Sequence, residues 1–338
     1  MTAPLVVRDY ETADEAQVLG LLNLTLGTGR AFERSTAFFR WKHVENPFGR
    51  SLMLLAENQH VVGLRAFLRW QFRASEGVIH AVRAVDTATH PDHQRKGIFS
   101  QLTSACLERA RSQGVGLVFN TPNRYSLPGY LKLGWTYVGR ASVLVRPLRP
   151  GRLIKAVLPA REAASPDADE GWDARPSLLE TPLANDAALA ELLARDDEHL
   201  SDGIRTARTP AFLRWRYALV PSLQYGAHWI EDNGLRAAAI FRFTQRRGLR
   251  ELTLCELLMD TTAHGRRVIK DVLAASGADY AVAHCASGTP HRRALLSLGF
   301  VPVPRGPYFT VRPLTSDLAI DPKTFARWRL ALGDLEVF

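Results

Sequence analysis

The 338-residue sequence contains three cysteines and no long apolar run. Cys106, Cys255 and Cys285 lie far apart and form no C-x-x-C pair, so we expect no disulfide framework, no zinc site and no other metal centre. No stretch approaches the roughly 18 consecutive apolar residues of a membrane-spanning helix. The N-terminus lacks a basic segment before an apolar core, so we expect no signal peptide, no membrane partner and a cytoplasmic location.

Lysine is also scarce. The sequence has a net charge of +9, and its basic residues are 6 lysines and 37 arginines. The densest basic runs, at 246–247 and 292–293, are only pairs. No basic helix, basic tail or aromatic RNA-binding motif accompanies them. We therefore expect no nucleic-acid partner, and we interpret the charge as a solvated basic surface that attracts an anionic ligand.

The sequence repeats itself. Residues 37–42 (AFFRWK) return as residues 211–216 (AFLRWR), and a gapless alignment of 37–90 with 211–264 gives 12 identical positions out of 54. Further along, residues 131–135 match 296–300 at an offset of 165 instead of 174, so the second copy has lost about nine residues in between. The repeat predicts two homologous domains, at 1–148 and 176–314, with a linker at 149–175 and a C-terminal tail at 315–338.

Apolar periodicity in the first copy predicts the order β-α-α-β-β-β-α-β-α-β, with a last strand region at 135–146. Strands that alternate with helices in this way are typical of a mixed α/β sheet. The predicted fold class is therefore α/β, with two tandem domains of the same kind.

One loop has the composition of an anion site. Residues 87–99 run from a strand through a loop into a helix, and a helix N-terminus offers unpaired N–H groups to a phosphate. Gly97 allows a close approach of the backbone, while Arg95 and Lys96 add positive charge. This segment suits a pyrophosphate, although it is neither a Walker A sequence nor G-x-G-x-x-G.

These residues resemble the GNAT superfamily of acyl-CoA-dependent N-acyltransferases. The family loop reads Q/R-x-x-G-x-G/A, and residues 94–99 read QRKGIF, so Phe99 stands where the family has a small residue. Residues 88–91 resemble the turn that precedes the loop. Asn123, followed seven residues later by 130–135 (YLKLGW), resembles the family's asparagine and Y-x-x-x-G-F signature.

The resemblance implies that the cofactor is acetyl-CoA, used as the acyl donor. Backbone groups of Ala88 and Thr89 would pair with the pantetheine arm, and Asn123 would touch that arm or shape the cleft. Tyr130 would protonate the departing thiolate. The implied cofactor-binding residues are Ala88, Thr89, Gln94, Arg95, Lys96, Gly97, Ile98, Phe99, Ser100 and Asn123.

An amine nucleophile is mostly protonated at neutral pH, so a base or a water chain must deprotonate it. Asp86, on the strand before the loop, is the predicted catalytic base, and Glu57 is an alternative. Both recur in the second copy, as Asp260 and Glu231, and a structural role for Asp86 stays open. His93 and Tyr125 are further cleft candidates.

The second copy lacks the loop, and its counterparts of Asn123 and Tyr130 are Gly288 and Leu295. We therefore expect one active site per chain and a degenerate second domain.

The predicted function is transfer of an acetyl group from acetyl-CoA to a primary amine of a small-molecule acceptor, by direct attack in a ternary complex. The alternatives are a non-catalytic acyl-CoA-binding or regulatory protein, or an aminoacyl-tRNA-dependent transferase. Assembly of several copies into a homo-oligomer is left open.

Overall fold

The computed structural model describes residues 5–26, 34–157, 181–221, 223–304, 306–318 and 320–335. The first half follows the predicted order of elements as far as β6, and then adds one strand and one helix. Its elements are β1 (Val6–Asp9), α1 (Glu15–Leu26), α2 (Thr36–His43), β2 (Leu52–Asn58), β3 (His60–Ala74), β4 (Gly77–Thr89), α3 (Ile98–Ser112), β5 (Leu117–Asn120), α4 (Leu127–Lys132), β6 (Thr136–Arg140), β7 (Val143–Pro147) and α5 (Pro150–Val157).

The second half repeats most of this progression, with a two-residue strand between its first two helices. Its elements are α6 (Asp186–Glu198), β8 (Arg205–Thr206), α7 (Pro210–Leu213), β9 (Gly226–Glu231), β10 (Leu235–Arg246), β11 (Leu249–Met259), α8 (Thr262–Ala275), β12 (Tyr280–Ala283), α9 (Pro290–Ser297), β13 (Val301–Val303), β14 (Tyr308–Pro313) and α10 (Leu332–Leu335). A short π-helical turn, Arg214–Ala218, follows α7.

Two mixed sheets form the framework, which confirms the predicted α/β class with two tandem domains. The first sheet has the strand order β1-β2-β3-β4-β5-β14-β6, with β8 also paired to β3, and the second has the order β13-β7-β12-β11-β10-β9. Within each sheet one pair is parallel, β4 with β5 and β11 with β12, and its neighbours are antiparallel. Helices such as α3 and α8 cover the faces and bury apolar side chains against the strands.

The two halves exchange their last strands. Strand β7 lies in the first half but pairs with β12 and β13 in the second sheet, while β14 from the second half pairs with β5 and β6. The expected single strand region at 135–146 is therefore two strands in different sheets. Both exchanged strands contain the sequence V-R-P, so either copy can supply the same antiparallel edge. The domain boundaries at 148 and 176 stay a prediction, and both sheets extend across them.

The repeated aromatic segment joins the halves. The rings of Trp41 and Trp215 stack with centroids 4.9 Å apart. Each indole N–H donates to the backbone carbonyl of the other tryptophan, at 2.7 and 2.8 Å. Both side chains are buried, so this segment belongs to the shared core and is not a ligand-binding box.

The predicted linker contains α5, and its residues 158–175 lie outside the described part of the chain. The tail folds back, since Trp328 is buried against Phe72 and Phe309. Within the described ranges, no helix is both long and apolar enough to cross a bilayer.

Candidate active site

The loop between β4 and α3 forms an open helix N-terminus. His90 caps a short 3₁₀ turn, Pro91–His93, by accepting a hydrogen bond from the Asp92 amide at 3.3 Å. Arg95 and Gly97 then take left-handed backbone angles, with φ of 61° and 79°. Gly97 is the N-cap of α3 and has no side chain with which to cap the helix, so the first amides of α3 remain available to an anion.

A cleft of about 460 Å³ lies against this helix end. It runs between the end of α1, the end of β4 and the first turn of α3. Seven of the ten predicted cofactor-binding residues line it, whereas Lys96, Ser100 and Asn123 do not. The lining residues are Thr25, Leu26, Thr87, Ala88, Thr89, His93, Gln94, Arg95, Gly97, Ile98 and Phe99. Contact of these residues with CoA stays a prediction.

Asn123 organises the turn that leads into α4. Its Oδ1 accepts hydrogen bonds from the backbone amides of Tyr125 and Ser126, each at 2.9 Å. This geometry fixes the start of the helix that carries Tyr130. It favours the second of the two roles that the resemblance implied, shaping the cleft.

Tyr130 is buried and does not itself line the cleft. Its ring packs edge-on against Trp135 and Phe99, with centroids 5.2 and 6.1 Å apart. Its hydroxyl accepts a hydrogen bond from Arg65 at 3.1 Å, and the same Arg65 nitrogen donates to Thr87 at 2.6 Å. Because Thr87 lines the cleft, the phenol is linked to the cleft wall through Arg65.

The sequence analysis missed Arg65. This residue lies in the middle of β3 and is only 1% exposed. An arginine within the otherwise apolar residues 61–68 of β3 is the signal that could have marked it, because charged residues are almost never fully buried unless a partner holds them.

Asp86 occupies a β-bulge. The pairing of β3 with β4 shifts so that Thr87 faces Arg65 and Val85 faces Ala66, which leaves Asp86 between them with φ of 25°. Such bulges commonly redirect a side chain.

The Asp86 carboxylate faces the interior. One oxygen, Oδ2, lies 2.6 Å from Lys42 Nζ and 2.9 Å from His43 Nε2, and both of these side chains are buried. Burial alone raises the pKa of Asp86, but Lys42 and His43 outweigh it, so the pKa lies well below the usual value. The structure therefore does not favour Asp86 as a free base, and supports the structural role that the sequence left open.

The other base candidates differ in accessibility. Glu57 is held by Arg8 at 2.6 Å, away from the cleft. Tyr125 is 75% exposed and stacks with Arg124. His93 is the one of the four candidates that lines the cleft.

The second half has no equivalent loop. Residues 90–97 separate β4 from α3, but only residues 260–261 separate β11 from α8. The bulge of β11 falls at Cys255, whereas Asp260 follows the strand and bonds to His264 at 2.7 Å. Asp260 is therefore not the structural counterpart of Asp86, and the gapless alignment is wrong at that point because the second strand ends earlier.

Comparisons with known proteins identify the first half. Residues 7–138 match the family model described as an acetyltransferase (GNAT) domain. This domain belongs to the GNAT superfamily. Among the curated proteins, none matches the sequence.

Solved structures extend the likeness of fold to nearly the whole chain. A GCN5-related N-acetyltransferase from Anabaena variabilis is 14% identical with a TM-score of 0.64, over 92% of this chain and 73% of that one. A probable N-acyltransferase of unknown function from Enterococcus faecalis is 12% identical with a TM-score of 0.66, at the same coverage. Saccharomyces cerevisiae N-myristoyltransferase, solved with myristoyl-CoA, is 12% identical with a TM-score of 0.57, over 97% of this chain and 84% of that one.

Proposed function

We propose that the protein is an N-acetyltransferase that moves an acetyl group from acetyl-CoA to a primary amine of a small molecule. The single observation that carries the proposal is the open N-terminus of α3, which lies on the same cleft as Thr87, the residue that shares Arg65 with the Tyr130 hydroxyl. An anion site for a pyrophosphate and a proton donor for a thiolate thus lie together in one GNAT domain.

Different backbone segments would bind different parts of acetyl-CoA. Amides around Gly97 would bind the pyrophosphate, and the end of β4 at Ala88 and Thr89 would pair with the pantetheine arm. The arm would then direct the thioester inward along β4, toward Thr87 and Tyr130. Attack on the thioester builds an oxyanion, which a backbone N–H of β4 can stabilise.

Chemical balance requires two proton transfers. The amine forms a C–N bond to the acetyl carbon and loses a proton, while the C–S bond breaks and its electron pair goes to sulfur. Tyr130 gives its proton to that sulfur. His93, or water ordered in the cleft beside it, is the group that we propose to receive the proton of the amine.

Direct attack is favoured over an acyl-enzyme. Cys106 is the cysteine of the GNAT domain, and it lies on the buried face of α3. Burial raises the pKa of its thiol to about 12, so the thiol form predominates over the nucleophilic thiolate at neutral pH.

Titration calorimetry with acetyl-CoA, followed by thiol release with glucosamine, kanamycin, lysine and a peptide with a free N-terminus, tests the proposal. We expect one site per chain and turnover with at least one amine. Absence of acetyl-CoA binding would overturn the proposal, and two equivalent sites would contradict the single active site.

A non-catalytic acyl-CoA-binding protein is the second candidate, because Phe99 places an aromatic ring where the family loop has a small residue. Binding of acetyl-CoA without turnover of any amine would favour this candidate, provided that the background rate of thiol release is the same in Tyr130→Phe as in the wild type.

A further inference from the structure

Arg65 is a buried charge beside the proposed site, and no carboxylate of the described residues forms an ion pair with it. Its Nη1 donates to Thr87 and Tyr130, but Nε and Nη2 have no hydrogen-bond partner among the described residues. A buried guanidinium is costly unless a counter-charge or a ring system offsets the lost hydration. Other contacts of Arg65 must therefore offset the cost of burying its charge.

Three aromatic rings surround the guanidinium. Its central carbon lies 5.0 Å from the centroid of Phe67, 5.4 Å from that of Tyr130 and 5.5 Å from that of Phe99. Cation–π contacts of this length stabilise a desolvated arginine. Phe99, the residue that departs from the family loop, thus has a structural explanation, since its ring covers Arg65 on the side of the cleft.

The hydrogen-bond direction is fixed by chemistry. A guanidinium only donates, so the Tyr130 oxygen accepts from Arg65 and its own proton is left for another acceptor. The part of the chain that the structure describes offers no acceptor for that proton. The phenol therefore keeps its proton for the role that the resemblance implies, protonation of the departing thiolate.

The repeat provides an independent comparison. At the repeat offsets, the second half has Ala239 in place of Arg65 and Leu295 in place of Tyr130, while the core phenylalanine at 67 is retained as Phe241. The half that lacks the loop thus lacks both members of the hydrogen-bonded pair. If Arg65 served only the folding of the sheet, we would expect an arginine in both halves. The arginine instead occurs in the half that has the loop and the tyrosine.

We infer that Arg65 is a positioning residue for the acetyl transfer, and that it acts through Tyr130. Arg65 orients the Tyr130 hydroxyl as a donor and stabilises the phenolate that remains when the proton passes to the sulfur. The phenolate then regains a proton from solvent, so Arg65 is unchanged over the cycle. This inference rests on the proposed function, and it adds a residue for which the family signature has no position.

A double-mutant cycle tests the inference with acetyl-CoA and the panel amine that is turned over fastest, or with water as the acceptor when no amine is used. Thiol release is measured in each variant. We expect kcat to fall about 30-fold in Arg65→Met and about 100-fold in Tyr130→Phe. In the double variant we expect kcat within about threefold of that in Tyr130→Phe, because residues that act as one unit are not additive.

Two further variants separate charge from packing. Arg65→Lys keeps the positive charge and is expected to retain kcat within about fivefold of the wild type, whereas Arg65→Gln keeps a donor without the charge and is expected to resemble Arg65→Met. The Kd for acetyl-CoA is expected to change less than about twofold in all of them, since Arg65 does not line the cleft.

The matched control is Tyr225→Phe in the second half. Tyr225 is also buried, and its hydroxyl accepts a hydrogen bond from a buried arginine, Arg216, at 3.2 Å. We expect this variant to keep kcat within about twofold of the wild type.

Multiplicative losses in the double variant, near 3,000-fold if the two single effects simply combine, would overturn the inference while leaving the acetyltransferase intact. A kcat for Arg65→Lys as low as that for Arg65→Met would also overturn it. Absence of acetyl-CoA binding by the wild type would instead overturn the proposed function itself.

Discussion

The two halves of the chain pass from strand to helix in different ways. In the first half, residues 90–97 form a loop and Gly97 leaves the end of α3 without a side-chain cap. In the second half, two residues suffice, and the Thr261 hydroxyl accepts a hydrogen bond from the His264 amide at 3.3 Å. The same helix end is therefore open to a ligand in one copy and closed by its own chain in the other.

The contacts of the C-terminal tail with the two halves differ as well. In the first half, Arg83 on β4 donates to the carbonyls of Asp334 and Leu335 in the tail, at 2.7 and 3.0 Å. In the second half, the space beyond the β11–β12 pairing holds buried acids, including Glu256 on β11 and Asp334 of the tail. A small cavity of about 30 Å³ remains between them. The tail around Asp334 thus contacts β4 of the first half and lines the cavity of the second half.

The largest expected effect concerns the carboxylates that the sequence aligned. Asp86→Asn removes the charge facing Lys42 and His43, whose side chains are 5% and 1% exposed, and we expect it to lower the free energy of unfolding by about 3 kcal/mol. Asp260→Asn faces Arg236 and His264, which are 30% and 27% exposed, and should cost about 1 kcal/mol or less. Urea denaturation compares the two variants, and equal losses would contradict their different structural roles.

The second prediction uses the buried acids of the second half. Burial raises the pKa of Glu256 from 4.5 to about 8, and it raises that of Asp334 as well. Between pH 4.5 and about pH 8 the folded protein holds a proton on Glu256 that the unfolded chain releases, so the contribution of Glu256 to stability falls as pH rises and levels off above about 8. We expect this contribution to change by up to about 1.4 kcal/mol per pH unit, measured by denaturation as the difference between the wild type and a variant without the carboxyl group.

Glu256→Gln should remove this contribution, because glutamine cannot ionise. Glu191→Gln, on the exposed face of α6, is the control and should keep the slope of the wild type. Other groups, such as the buried His43 and His284 with their lowered pKa values, contribute equally to the wild type and to Glu256→Gln. Identical pH dependences of stability in these two proteins would therefore contradict the raised pKa of Glu256.

The third prediction gives the open helix end an anionic side chain. Gly97→Asp places a carboxylate beside the α3 amides, and we expect the Kd for acetyl-CoA to rise about tenfold by charge repulsion and by competition for those amides. Gly97→Asn has nearly the same shape without the charge, so it accounts for the strain of a side chain at φ of 79°. Calorimetry that gives equal Kd values for the two variants would remove the helix end from the proposed pyrophosphate site.

Local sequence patterns predicted much of the fold and of the candidate site. Periodicity predicted the order of elements through β6, and the spacing of the loop placed seven of ten predicted residues on one cleft. The strand exchange was not predictable, because β7 and β14 share V-R-P and neither sequence specifies which sheet it completes. Arg65 could not be identified from the sequence, because its role depends on Phe99 and Tyr130, which lie on other elements and contact it only in the folded protein.

The smallest expected effect tests the closed helix end. Thr261→Ala removes the cap of α8, and we expect a loss of about 1 kcal/mol in the free energy of unfolding because one amide loses its partner. Acetyl-CoA binding and turnover should stay within twofold of the wild type, since the second half lacks the loop that forms the proposed pyrophosphate site. Thr261→Ser retains the hydroxyl and serves as the control. New binding of acetyl-CoA at a second site in Thr261→Ala would show that the cap alone, and not the missing loop, distinguishes the two halves.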